Sequence, residues 1–306
     1  MLETVIAGVR FKNPVIAASG TFGYGREYAE LVDVSALGGI CSKGLTLRPR
    51  AGNSGTRLYE TPSGLLNSIG LENPGIPAFI EKELPSMKQL GTVVIANLSG
   101  SDIDEYIEGA KLLDAADVDM VELNISCPNV REGGMAFGLE PETAASVCRA
   151  VRRVLHKPLV VKLSPNAPSI TAVARACVDH GADALSLVNT FKAMAIDVET
   201  RLPVFDNAIA GLSGPAIRPI ALRMVWELAE TASVPIIGMG GIACAEDALQ
   251  FLMAGADAVQ VGTNTFVHPR SITDVIDGVA AYMKKHSVKS VGELKIRRRA
   301  RGEGHS

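Results

Sequence analysis

Pro158-Leu159-Val160-Val161-Lys162, then Ser169 to His180, then Asp183-Ala184-Leu185-Ser186-Leu187-Val188 reads as an apolar run, a helical pattern and a second apolar run. Further strand candidates stand at residues 14–18, 38–42, 92–96, 119–123, 234–239 and 257–261, with helix-like patterns such as Ile217 to Thr231 and Ala245 to Ala254 between them. Strand, helix, strand in sequence implies a parallel sheet, and eight such units imply a closed (β/α)8 barrel, the TIM barrel of the α/β class. An open doubly wound sheet would want a G-x-G-x-x-G fingerprint after its first strand, and Ser19-Gly20-Thr21-Phe22-Gly23-Tyr24-Gly25 does not have that spacing. Before the barrel, residues 2 to 12 alternate and turn at Ala7-Gly8-Val9, which predicts an N-terminal β-hairpin.

The 306 residues are 47% hydrophobic, enough for a large core, and no internal repeat or linker divides them, so residues 1–306 are expected to form a single barrel domain. A net charge of -3 argues against a nucleic-acid footprint, and the basic run from Lys295 to Arg301 reads as a solvated end. No apolar stretch reaches the ~18–20 residues of a membrane helix. The start, Leu2-Glu3-Thr4-Val5-Ile6, has no secretory character. Five cysteines without a C-x-x-C pair suggest neither disulfides nor a cysteine metal site, and a reduced cytoplasmic enzyme is expected.

Two intervals are too long for plain crossovers, 44–75 and 191–214. Each follows a strand end, so both are expected over the C-terminal mouth of the barrel, where functional loops collect. The strands themselves end on Ser19-Gly20, Lys43-Gly44, Asn97, Asn124, Lys162, Asn189-Thr190, Gly240-Gly241 and Gly262-Thr263. A polar residue or a small-residue turn at all eight ends marks the mouth as a site. The glycine turns of the last two suit a phosphate, at a place where this fold often binds one.

None of the five histidines closes a strand, and no carboxylate does, which disfavours metal ligation and paired-carboxylate hydrolysis. The loop Asn124-Ile125-Ser126-Cys127-Pro128-Asn129 groups two amides with a thiol. Taken alone it reads equally well as a turn with a buried cysteine. At the mouth, Cys127 is the one acid-base group that is not a permanent cation, and nearby lysines would lower its pKa.

On these residues the chain resembles the dihydroorotate dehydrogenases, flavoproteins of pyrimidine biosynthesis. The resemblance runs from Ala17-Ala18-Ser19-Gly20 to Gly262-Thr263, and its most specific parts are residues 124–129 and Asn67-Ser68-Ile69-Gly70-Leu71-Glu72-Asn73-Pro74-Gly75. It implies FMN on the barrel mouth, with phosphate at Gly240, Gly241, Gly262 and Thr263. The flavin and ribityl chain would be lined by Ser19, Lys43, Gly44, Asn97, Asn124, Lys162, Val188 and Gly214. Dihydroorotate would be held by Lys43, Asn67, Ser68, Ile69, Gly70, Leu71, Asn124, Asn129, Asn189 and Thr190. Cys127 would take the proton from C5 of dihydroorotate while C6 yields a hydride to the flavin.

A cysteine at that position marks class 1 of the family. Within it, Thr46 to Asn53 and Glu60 to Asn67 look like the NAD-linked class 1B. That form works as a homodimer inside a heterotetramer, with a partner subunit carrying FAD and a [2Fe–2S] cluster. The alternatives are a fumarate-dependent class 1A enzyme, a non-redox aldolase or isomerase using Lys43 or Lys162 as a Schiff-base amine, a catalytically silent flavin protein, and a tRNA dihydrouridine synthase type of barrel.

Overall fold

The computed structural model describes residues 1–126 and 137–296. Strands β1 (Thr4–Ile6) and β2 (Val9–Phe11) form the expected antiparallel hairpin, turning at Ala7 and Gly8. Ile6 and Phe11 are fully buried against Ile16, Cys41, Ile95, Met120, Val160, Ala184, Ile237 and Ala258. The hairpin therefore closes one end of an apolar plug that fills the lower half of the barrel.

Strands β3 (Val15–Ala17) and β4 (Gly39–Cys41) begin the barrel, and β5 (Leu58–Thr61) and β6 (Gly64–Asn67) leave it as a hairpin. The barrel resumes with β7 (Val93–Leu98), β8 (Met120–Asn124), β9 (Leu159–Lys162) and β10 (Ala184–Leu187). A second excursion holds β11 (Phe191–Ala193), β12 (Ile196–Asp197), β13 (Leu202–Pro203) and β14 (Ala210–Ser213). Strands β15 (Ile236–Met239) and β16 (Ala258–Val261) complete the closed parallel ring, whose order is β3-β4-β7-β8-β9-β10-β15-β16. Each of these eight lies within two residues of its sequence-predicted run.

Helices cover the outside. Asp102 caps the helix Ile103–Ala115 by accepting from the Glu105 N–H at 2.8 Å, and Ser169 caps Ile170–Asp179 by accepting from the Ala172 N–H at 3.3 Å. Among the described residues no helix is long and apolar enough to cross a membrane.

The two excursions are not independent loops. Strands β11, β14, β6 and β5 form one antiparallel sheet in that order, with Asn67 opposite Gly211 and Leu66 opposite Leu212. Lys295, the first residue of the basic run, is partly exposed and its ammonium lies 2.6 Å from Asp257 Oδ1. Residues 297–301 of that basic run lie outside the described residues.

Candidate active site

Side chains alternate sides along a strand, so Met120, Glu122 and Asn124 of β8 share its inner face. The same step of two leads from Ile95 to Asn97, from Val160 to Lys162, from Ala184 to Ser186 and from Ala258 to Gln260. The barrel interior thus changes from apolar near the hairpin to polar toward the mouth. Parallel register places Asn97 beside Glu122, and Asn124 beside Lys162.

The polar layer is connected through Glu122. Asn97 Nδ2 donates to Glu122 Oε1 at 2.7 Å, Ser186 Oγ and Gln260 Nε2 donate to Oε2 at 2.8 and 2.9 Å, and Lys162 Nζ stands 3.6 Å from Oε1. Asn124 Nδ2 donates to Asn97 Oδ1 at 3.4 Å. Asn124 Oδ1 accepts from Ser126 Oγ at 2.6 Å and from Asn189 Nδ2 at 3.5 Å. From the outside, Tyr106 OH donates to the Asn124 carbonyl at 2.8 Å and fixes the end of β8.

Burial raises the Glu122 pKa, but the Lys162 ammonium and the bonds from Ser186, Gln260 and Asn97 outweigh it and hold the carboxyl below its usual range. Glu122 is therefore an anion at neutral pH. Burial, and after it the Glu122 charge, pushes the Cys41 thiol well up, so Cys41 stays protonated and its Sγ donates to Oε1 at 3.3 Å.

The glycine turns meet on the opposite side of the mouth. Gly240 and Gly241 have φ of 128° and 75°, a region that disfavours side chains. A Cβ on Gly240 would lie 2.7 Å from that of Ala221, and one on Gly241 would lie 2.6 Å from the Gly214 carbonyl oxygen. Thr263 Oγ1 donates to Ser213 Oγ at 2.8 Å, and Gly262 sits against Ala18, next to half-buried Ser19. Val188 is buried and a Cβ on Gly240 would approach its Cγ2 to 3.4 Å. Gly214, Gly240, Gly241, Gly262 and Thr263 are thus brought together.

The lid sheet adds the rest. Asn67 Nδ2 donates to the Gly211 carbonyl at 3.1 Å, and Gly211 packs against Thr190. Asn53 donates to the carbonyl and hydroxyl of Ser68 at 3.1 and 2.9 Å and leaves no room for a side chain at Gly70, where an added Cβ would stand 2.3 Å from its Oδ1. The Asn53 N–H donates to the Ile69 carbonyl at 2.9 Å. Leu71 reaches Gly44, at the end of β4 beside Lys43. Ser68 Oγ faces Asn53 and Asn207, so its hydroxyl is engaged within the lid.

Cys127 and Asn129 lie outside the described residues. Glu122, Ser186 and Gln260 were missed by sequence reasoning, because Asp119 to Leu123 reads as one apolar run. The signal was a carboxylate two residues before Asn124, on the same face of a buried strand.

The arrangement offers a planar polar ligand a floor of carboxamides and the Lys162 ammonium, next to a glycine-walled recess. The family model described as dihydroorotate dehydrogenase matches residues 1–283. A dihydroorotate dehydrogenase B (NAD(+)) catalytic subunit of Petrotoga mobilis is 56% identical over 95% of this chain and 97% of its own length. Catalytic subunits of the same description from Thermoanaerobacter pseudethanolicus and Geotalea uraniireducens are 52% and 50% identical, each over 96% of this chain and 97% and 96% of their own lengths. With the barrel, the mouth and these matches in agreement, the chain belongs to the dihydroorotate dehydrogenase family.

Proposed function

We propose that this chain, one barrel domain, oxidises (S)-dihydroorotate to orotate on the way to UMP, with FMN bound at the mouth. The observation that supports the reading is the bonded cluster of Asn97, Asn124, Asn189 and Lys162 at one barrel mouth of a family member, with Lys43 following the neighbouring strand β4. The donor set fits FMN. Among the described residues no protein group accepts from the N–H of Gly241, Ile242 or Thr263, and unpartnered amides beside glycine turns suit a phosphate. Half-buried Lys43 likewise has no acidic or hydrogen-bonding partner among the described residues. FMN, when bound, supplies the acceptor for the hydride that leaves the substrate.

The chain's own residues do the remainder. With FMN at the mouth, Lys162 would add positive charge to its surroundings, and such pre-placed charge is usually a large catalytic contribution. Lys43 and the asparagines hold the pyrimidine and its carboxylate without competing for the proton. Cys127 receives that proton at Sγ. Phosphate is assigned to Gly240, Gly241, Gly262 and Thr263, and the lid from Asn67 to Leu71 with Thr190 covers the substrate.

Electrons leave for NAD⁺ through a separate subunit carrying FAD and [2Fe–2S], with two copies of this chain in a heterotetramer. The description of its relatives as catalytic subunits of an NAD(+) enzyme supports the separate subunit and the NAD⁺ exit; the partner's cofactors and the two-copy assembly follow from the class 1B resemblance. The free thiols of Cys41, Cys148, Cys177 and Cys244 fit a reducing, cytoplasmic setting.

The test is anaerobic mixing of the purified chain with dihydroorotate. A yellow protein whose flavin bleaches, yet which forms little NADH until the electron-transfer subunit is added, is the expected result. Cys127→Ala should keep its FMN and bleach far more slowly. A colourless chain refutes the flavin reading, and efficient NADH formation by the chain alone refutes the partner.

A further inference from the structure

Glu122 is enclosed completely, in a strand of otherwise apolar or amide residues. Filling a barrel with an ion pair is not the cheapest way to stabilise it, since apolar replacements of buried pairs are often neutral or better. What distinguishes Glu122 is the direction it imposes. An ionised carboxylate only accepts hydrogen bonds, so Asn97 must turn its NH2 toward Glu122 and its carbonyl toward the mouth. That carbonyl accepts from Asn124 Nδ2, which turns Asn124 Oδ1 toward Ser126 and Asn189. Asn189 in turn donates to both Asn124 Oδ1 and Ser126 Oγ. Three carboxamides share one sense, and the chain of bonds ends on the carboxylate.

We propose that Glu122 is a positioning residue, whose carboxylate sets which way the Asn97, Asn124 and Asn189 amides face and holds the Lys162 ammonium at the floor of the mouth. The donors and acceptors offered to a planar ring then have a single arrangement. This rests on the FMN and pyrimidine reading of the mouth, and it assigns to a residue below the ligand the orientation of the residues that touch it.

Glu122→Gln is nearly isosteric and permits the test. Its amide can donate as well as accept, so the Asn97–Asn124 chain can reverse. Gln260 Oε1, which has no partner among the described residues, can accept the new N–H once the Gln260 amide turns over. The fold should therefore tolerate the change, while Lys162 loses its counter-charge.

FMN-loaded parent, E122Q and E122D are titrated with orotate and, separately, with sulfite, whose flavin adduct is favoured by nearby positive charge. E122Q is expected to retain FMN, to bind orotate about tenfold more weakly, and to bind sulfite about tenfold more tightly. E122D restores an end that only accepts and should recover most of both changes. E122Q constants within about twofold of the parent, or equal impairment of E122Q and E122D, overturn the proposal. If E122Q cannot be loaded with FMN, an E122D protein within about threefold of the parent for orotate supports it, and an E122D protein that is equally unloadable overturns it. A parent that binds no FMN refutes the proposed function instead, so the two failures are distinct.

Discussion

Leu71 of the lid packs against Gly44, three residues beyond β4: a methyl group on Gly44 would stand 2.9 Å from Leu71 Cδ2 and 3.2 Å from Asn97 Oδ1. The absence of a side chain at residue 44 is what lets the lid reach the barrel. Leu71 Cδ2 is the end of a flexible side chain and must turn aside, while Asn97 Oδ1 is held by its bond from Asn124. Gly44→Ala should therefore lift the lid and weaken orotate binding, at a stability cost of about 1–3 kcal/mol from overpacking. Orotate titration of the FMN-loaded variant, beside its thermal midpoint, measures both; parent-like affinity would show that Leu71 yields freely.

Asn73 holds the same lid from within. It is buried, accepts from the Thr46 and Gly75 N–H groups at 3.2 and 2.8 Å, and donates to Thr46 Oγ1 and the Leu71 carbonyl at 2.8 and 2.7 Å. Asn73→Ala leaves those groups without partners, at roughly 1–3 kcal/mol for each that stays dry. The loss falls on the lid, so KM for dihydroorotate should rise more than the denaturation midpoint falls. Steady-state kinetics and a urea melt separate the two effects.

Gly241→Ala introduces a side chain at a left-handed position, 2.6 Å from the Gly214 carbonyl oxygen. The turn has to open, and with it the amides assigned to the phosphate. The variant should fold and lose most of its FMN, which the ratio of flavin to protein absorbance after gel filtration reports. Full flavin content would move the phosphate elsewhere.

Glu122 also makes a prediction about acid. Its folded-state pKa lies below the ordinary 4.5. Its charge therefore contributes stability that is fully present above that value and lost as pH falls through the folded-state value. E122Q has no such group. The stability gap between parent and E122Q should be constant near neutrality and shrink below about pH 4.5. Urea melts of both proteins across that range test it, and a gap that widens in acid would mean that the carboxyl is protonated in the fold.

Much of this architecture is legible from residues alone, for a definite reason. Strands buried on both faces, such as Leu159–Lys162, must be apolar throughout, and a polar residue ends them only where the barrel opens. That rule locates Lys43, Asn97, Asn124 and Lys162 at the mouth. It fails for Glu122, because one carboxylate inside an apolar run does not change the run's character, and only the register of β7, β8 and β9 reveals its partners. The lid sheet was half visible. Both excursions were placed above the mouth, but the pairing of Leu66 with Leu212 depends on how two distant segments meet, and neither carries a local signal for it.

That pairing has a consequence for how such chains can vary. Asn67 and Gly211 are 144 positions apart and share a hydrogen bond, with Ser213 opposite Leu65 in the same ladder. The two insertions are therefore one sheet and not two separate flaps. Shifting either strand by one residue against the other would turn its own inner face outward. Natural substitutions at 65–67 and 211–213 should accordingly arise in matched pairs, and a chimaera that takes only one insertion from a relative should lose its cover over the mouth.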